Sequence, residues 1–167
     1  MARLPDATGR GEVAERIRQR RGGELTALDL MLLHSPPVAD GWNALLGAIR
    51  SRCVLAGDIR ELVILRIAVL NGAAYEWHAH EQHARAAGLT DHDLAVARGE
   101  APPETLAPAP AAALAYTDAL TRSVDVPAPV FDAVRARFDT REVMELTATV
   151  AAYNMVSRVL VALDVRP

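Results

Sequence analysis

Apolar positions along the chain recur with the three- and four-residue spacing of α-helices. No segment alternates every second residue, as a half-buried strand would. The predicted helices cover residues 25–33, 38–52, 58–71, 73–87, 111–123, 129–138 and 139–164, with one more after Thr90. The pattern therefore predicts an all-α fold, a single-domain helical bundle of about seven to eight helices.

Three helix starts are marked by capping boxes, in which the cap residue and the third helical residue satisfy each other's backbone amides. They are Asp58–Glu61, Thr90–Asp93 and Asp139–Glu142. The helix that follows Asp58 is apolar on nearly all sides, which predicts a position at the centre of the bundle.

Residues 1–23 are polar and rich in Arg and Gly. They predict an N-terminal arm with a helix at Glu12–Arg21, ahead of a helical domain that spans residues 24–167. Two interpretations of a cluster of four arginines in this arm are open: the cluster binds an anion, or it forms a surface that faces solvent or a neighbouring subunit. The four residues are Arg16, Arg18, Arg20 and Arg21. The Pro/Ala/Glu loop between Gly99 and Pro110 is too short to separate two domains.

The composition narrows the classes of function. The chain is 51% hydrophobic but only 4% aromatic, so its core is built from Ala, Leu and Val, which favours helices. The net charge of −3 argues against a nucleic-acid or anionic-membrane partner. All 18 cations are Arg and no Lys is present, which excludes a Schiff-base lysine mechanism.

Cys53 is the only cysteine, so neither an intrachain disulfide nor a CxxC pair can form. Together with an N-terminus that lacks a signal-peptide pattern, this predicts a cytoplasmic protein. The apolar stretch Val143–Leu163 contains Glu145, Asn154 and Arg158. Because a central charge costs about 2.5–3.5 kcal/mol on membrane insertion, this stretch is predicted to be a core helix and not a membrane span.

Glu76, His80 and His83 form one narrow stripe on the predicted helix 73–87. At about 100° per residue, His80 lies about 40° and His83 about −20° from Glu76. The other polar residues of this helix lie on the opposite, solvent-facing side. The stripe therefore predicts a carboxylate and two imidazoles that point away from water, into a partly vacant space in the bundle or toward a neighbouring subunit.

Three interpretations of the stripe are open. An inward Glu76–His80 pair can pass protons to and from a bound small molecule near neutral pH. Alternatively, the same residues are hydrogen-bonded core groups that hold helices together. Zinc or iron binding by these three side chains matches no known metal signature, so no metal and no other cofactor are predicted.

Two segments resemble the carboxymuconolactone decarboxylase-like family. The run Arg60–His80, followed by Ala-Gly-Leu-Thr at 87–90, is similar to the core of that domain, and Tyr153–Arg158 is similar to its C-terminal helix. The resemblance implies the all-helical fold that this family shares with the alkylhydroperoxidases. It also implies a homo-oligomer, a trimer or hexamer.

The peroxidase branch of this group uses a glutamate, a CxxC pair and a histidine. By position, Glu61 matches the relay glutamate and His80 the histidine, while Ala73 and Glu76 stand where the two cysteines would be. Because both thiols are missing, the resemblance does not extend to disulfide-based peroxide reduction.

The decarboxylase branch has the Glu-x-x-x-His pattern that Glu76 and His80 provide. It implies acid–base removal of carbon dioxide from a lactone, although the tryptophan-rich segment of the simple decarboxylases is not found here. For Glu61, capping and a relay role are both open.

Four more residues are predicted to line a substrate site together with His83, although each has an alternative role. Asn154 and Arg158 suit a substrate carboxylate, but Arg158 is equally suited to neutralise Glu61 or Glu76. Trp77 and Tyr153 are either substrate walls or core packing residues.

The sequence thus predicts a cofactor-free lyase that acts on a small organic, possibly cyclic, acid by decarboxylation or a related hydration or isomerisation. His80 would carry the proton, with Glu76 and Glu61 as its partners. The alternative is a non-catalytic oligomeric helical module in which the inward Glu/His cluster is structural.

Overall fold

The computed structural model describes residues 2–167, and all regular structure in that range is helical. The described part of the chain contains nine α-helices, eight of them with seven or more residues, and a short 3₁₀-helix at Pro103–Thr105. The predicted all-α class is therefore confirmed. The chain forms two compact units, one that ends at Cys53 and includes Leu163–Arg166, and one that spans Val54–Ala162.

The first unit contains three helices: α1 (Glu12–Arg21), α2 (Ala27–Leu32) and α3 (Pro36–Ser51). Helix α1 packs against α3 and buries Ala14 and Ile17. The boundary predicted near residue 23 remains a prediction.

The second unit contains six α-helices: α4 (Gly57–Leu70), α5 (Ala74–Ala86), α6 (Asp91–Arg98), α7 (Pro108–Ser123), α8 (Ala128–Arg135) and α9 (Thr140–Ala162). Helix α4 contacts α5, α6, α7 and α9. This confirms its predicted central position and explains why it is apolar on nearly all sides.

Two of the three predicted capping boxes are present. Thr90 and Asp93 exchange side chain–backbone hydrogen bonds at the start of α6, at 2.7 and 3.2 Å. Asp139 and Glu142 do the same at the start of α9, at 2.9 and 2.8 Å. Because these bonds satisfy amides that have no partner within the helix, they fix where each helix begins.

Two half-buried charged contacts connect α9 and α7 to other parts of the second unit. Glu145 on α9 accepts hydrogen bonds from the backbone amides of Val54 and Leu55 at 2.7 and 2.8 Å. Arg66 on α4 makes a two-pronged ion pair with Asp118 on α7, with both nitrogen–oxygen distances at 2.6 Å. Within residues 2–167, no helix is both long and apolar enough to cross a bilayer.

Candidate active site

The central helix α4 directs Glu61 into the protein interior. The predicted capping box at Asp58–Glu61 is wrong, because α4 begins one residue earlier, at Gly57, and its cap residue Ala56 makes no side-chain hydrogen bond. Asp58 instead accepts a hydrogen bond from the backbone amide of Ile59 at 2.8 Å. Glu61 is only 4% exposed, so its carboxylate is free of the capping role and available to α5.

Glu61 and His80 form a buried hydrogen-bonded pair between α4 and α5. The Nδ1 atom of His80 lies 2.7 Å from Oε2 of Glu61, and the two residues are 6% and 4% exposed. The fully buried Tyr153 on α9 meets the imidazole edge to face, with ring centroids 5.1 Å apart and planes at 88°. The carboxylate and the tyrosine ring therefore fix the orientation of His80 from two helices.

The Glu61 carboxylate is held in its charged form. Burial acts to raise its pKa, but the hydrogen bond and charge of His80, followed by those of Arg60, outweigh it, so the pKa lies below its ordinary value of 4.5. Arg60 donates from Nε to Oε1 at 3.1 Å, the oxygen that His80 does not use. A carboxylate charged near neutral pH stabilises an imidazolium and keeps a proton on the facing Nδ1.

Glu76 is also buried, as predicted, at 1% exposure. The hydroxyl of Ser157 on α9 lies 3.1 and 3.0 Å from its two carboxylate oxygens. A carboxylate in this position requires such donors, because an unsolvated charge is costly to bury. The role of Glu76 as acid or base remains a prediction.

His83 does not point into the bundle. His83 is exposed, and the prediction that it points into the bundle is therefore wrong. The alternative prediction, that it faces a neighbouring subunit, remains a prediction. Its ring lies beside that of His80, with centroids 5.9 Å apart and planes at 59°. The predicted solvent face is confirmed for His78, Gln82 and Arg85, which are all exposed.

The side chain of Asn154 is enclosed by partners from α7, from α9 itself and from the end of α4. Its oxygen accepts from Asn71 at 3.0 Å and from Arg158 at 2.7 Å, and its nitrogen donates to Thr121 at 2.9 Å and to the carbonyl of Val150 at 3.0 Å. These four bonds use the full capacity of an amide. A substrate carboxylate would have to displace one of them.

Arg158 does not neutralise an inward carboxylate. It is exposed and donates to the backbone and side-chain oxygens of Asn154, one turn earlier on the same helix. Glu61 is paired instead with Arg60 and His80. Arg158 as a ligand for a substrate carboxylate remains a prediction.

Trp77 lies at the edge of the interior and lines a cavity of about 370 Å³. Its indole nitrogen donates to Glu81 at 3.1 Å, and the guanidinium of Arg98 lies 4.3 Å from its ring centroid. The remaining lining residues of this cavity are Ala68, Val69, Gly72, Ala73, Ala74 and Glu100. The lining includes neither Glu76 nor His80, so the vacant space predicted beside them remains a prediction.

Sequence reasoning missed two residues that contact the predicted carboxylates. Arg60 is adjacent to Glu61 in sequence, and a cation next to an inward carboxylate is a signal that was available. Ser157 is 81 positions from Glu76, and only the packing of α5 against α9 brings them together. Within residues 2–167, no group of three or more His, Cys, Asp or Glu side chains is placed to hold a metal ion.

Comparisons with known proteins place the site residues within a recognised sequence family. The sequence model of the Carboxymuconolactone decarboxylase family matches residues 36–119, a segment that contains Glu61, Glu76 and His80. No curated protein matches the sequence closely enough to count as a relative.

Three solved structures share the fold. A protein of unknown function from Agrobacterium tumefaciens, assigned provisionally to antioxidant defence as AhpD, is 25% identical, with a TM-score of 0.74 over 82% of this chain and 95% of that one. An uncharacterized peroxidase-related protein from Ralstonia eutropha JMP134, described as an alkylhydroperoxidase AhpD core, is 20% identical, with a TM-score of 0.73 over 99% of this chain and 92% of that one. An uncharacterized peroxidase-related protein from Silicibacter sp. TM1040 is 15% identical, with a TM-score of 0.73 over 90% and 80% of the two chains.

Proposed function

The chain belongs to the carboxymuconolactone decarboxylase family, and from that premise we propose that it is a cofactor-free acid–base lyase that acts on a small organic acid. The observation that carries the proposal is the buried hydrogen bond of 2.7 Å between His80 and Glu61. A buried imidazole held by a charged carboxylate is suited to general acid–base catalysis near neutral pH.

The proposed reaction is a decarboxylation in which His80 is the proton donor. The bond between the carboxylate carbon and its neighbour breaks, carbon dioxide leaves, and the electron pair stays on the neighbouring carbon, conjugated to a carbonyl such as that of a lactone. The imidazolium of His80 then protonates that carbon. Glu61 stabilises the imidazolium before the transfer, and each turnover consumes one proton.

Glu76 is the second carboxylate of the proposal, as an acid, a base or a substrate-orienting group. It occupies the position where the thiol-dependent relatives carry a cysteine, and Ala73 occupies the other. With Cys53 as the only cysteine, peroxide reduction through a dithiol is not available to this chain. A cytoplasmic location and assembly into a trimer or hexamer remain parts of the same proposal.

The proposal is tested with a panel of small carboxylated lactones and related cyclic acids. Carbon dioxide release is measured for the wild type, His80→Gln and His78→Gln. Loss of a general acid typically lowers the rate by about 10²–10⁴-fold, so His80→Gln should lose turnover to that extent. The control position His78 is exposed on another face of the same helix, and its variant should match the wild type.

Binding is measured separately by NMR of the His80 ring during addition of each acid. A substrate should shift the ring resonances of His80 in the wild type. Full turnover by a folded His80→Gln protein, or a silent His80 ring with every acid of the panel, would overturn the assignment.

A second candidate is a non-catalytic module in which the inward polar groups are structural. The closed hydrogen bonds of Asn154, which connect it to α4 and α7, favour this alternative. It predicts that His80→Gln and Glu61→Gln each lower the free energy of unfolding by about 3 kcal/mol or more and that no acid perturbs His80.

A further inference from the structure

The rings of His80 and His83 lead from the buried pair to the surface of the chain. The two residues are three positions apart on α5, so their side chains are neighbours on one face of the helix. Their ring centroids are 5.9 Å apart, with His80 buried at 6% exposure and His83 exposed. A titratable ring with access to solvent thus lies next to one that is nearly closed off.

The proposed function creates a need for such a neighbour. Each decarboxylation takes one proton from His80, and a buried imidazole has to recover it before the next turnover. The hydrogen bond to Glu61 keeps the proton at Nδ1 in place. The proton that is given up and regained is therefore the one at Nε2 of His80, on the other side of the ring.

The other groups around His80 are poorly placed to deliver a proton from solvent. Glu61 on α4 and Tyr153 on α9 are buried at 4% and 0% exposure. Arg60, which contacts Glu61, carries a guanidinium that does not release its proton in proteins. Glu76 on α5 is buried at 1% exposure against Ser157. Among these neighbours, only His83 combines exposure with an imidazole, the side-chain type that commonly carries protons in enzymes.

We propose that His83 is a proton shuttle that carries protons between solvent and the ring of His80. This role rests on the proposed function, because it serves His80 as a proton donor. At a centroid distance of 5.9 Å, one intervening water molecule is sufficient to connect a nitrogen of each ring. Exposure leaves the His83 ring free to turn toward solvent after each transfer.

The shuttle is tested without knowledge of the substrate, from the rate at which the His80 ring exchanges between its charged and neutral forms. This rate is measured by NMR relaxation dispersion of the ring carbons near the midpoint of the His80 titration. The variants are His83→Gln and the matched control His78→Gln, an exposed histidine of the same helix about 200° away from His80. Thermal unfolding curves establish that both variants are folded.

We expect His83→Gln to slow the exchange by about tenfold or more and His78→Gln to leave it unchanged. Added imidazole buffer should restore the rate in His83→Gln, because a diffusible base replaces the missing ring. An unchanged rate in His83→Gln, or a slow rate that imidazole does not restore, would overturn the shuttle alone. If the His80 ring does not change charge between about pH 5 and 8, the proposed function fails, and the shuttle fails with it.

Discussion

The role assigned to Glu61 changes once its contacts in the structure are known. Its two carboxylate oxygens have different donors, His80 at Oε2 and Arg60 at Oε1. A cap residue would face water at the end of a helix, whereas this carboxylate lies in the interior and is charged. The charge of the Glu61 carboxylate is therefore stabilised by both His80 and Arg60.

Replacement of Arg60 tests this dependence directly. Arg60→Gln removes a positive charge that helps His80 to lower the pKa of Glu61, so that pKa should rise. Arg60→Lys keeps the charge and should restore most of the difference. The measurement is a carbon-13 NMR titration of the Glu61 carboxyl, and an identical titration curve in all three proteins would contradict this role of Arg60.

Helix α4 contacts four other helices of the second unit, and two of its polar residues, Glu61 and Arg66, bond to side chains on those helices. Arg66 lies on the same helix as Glu61 and reaches α7, where its Nε and one terminal nitrogen donate to the two carboxylate oxygens of Asp118. A planar guanidinium matches a carboxylate in this way, and an ammonium does not. The junction of α4 and α7 therefore depends on arginine in particular.

We expect Arg66→Lys to lower the free energy of unfolding by about 1–2 kcal/mol, because lysine keeps only one of the two hydrogen bonds to the half-buried Asp118. The control is Arg122→Lys, at a residue that lies 3.9 Å from the same Asp118 but is 61% exposed. That change should cost no more than about 0.5 kcal/mol. Urea unfolding at neutral pH measures both, and equal effects would show that the paired geometry adds nothing.

The fold of the whole molecule could be predicted from the sequence to a large extent. Helical spacing gave the all-α class, and the boxes at Thr90 and Asp139 placed the starts of α6 and α9 correctly, because caps are encoded within four residues. The central position of α4 followed from its lack of a polar side. These features are local or periodic.

The site was less predictable, because its contacts are distant in sequence. The stripe on α5 identified Glu76 and His80 as buried, but it gave no means of knowing that His83 on the same stripe is exposed. The contact of Glu76 with Ser157 depends on how α9 packs against α5. The periodicity of a single sequence predicts which side of each helix is buried, but it does not predict which other helix packs against that side.

Acid should destabilise the molecule through specific carboxylates. For Glu61 and Glu145, burial acts to raise the pKa, but hydrogen bonds and nearby cations outweigh it and the pKa lies below 4.5. A carboxyl with a lower pKa in the folded state stabilises the protein above its unfolded pKa, and this contribution is lost as the pH falls through the folded value. Stability should therefore decline below about pH 4.5.

The decline should be shallower in Glu61→Gln and Glu145→Gln than in the wild type, because each variant lacks one of these carboxyls. Urea unfolding at a series of pH values between neutral and acid measures the slope. The matched control is Glu100→Gln, at an exposed position on the loop after α6, and its slope should equal that of the wild type. Equal slopes in all four proteins would contradict the assignment.

The division of the chain into two units also has a practical consequence for spectroscopy. The protein has two tryptophans, and each unit contains one of them, Trp42 on α3 and Trp77 on α5. Trp77 lies against the guanidinium of Arg98, so its emission responds to the surroundings of α5. Trp42→Phe therefore leaves one tryptophan, in the second unit, and Trp77→Phe leaves one in the first unit. If the fluorescence melting curves of the two variants coincide, the two units unfold in one step, and if the curves are separated, the units unfold in sequence.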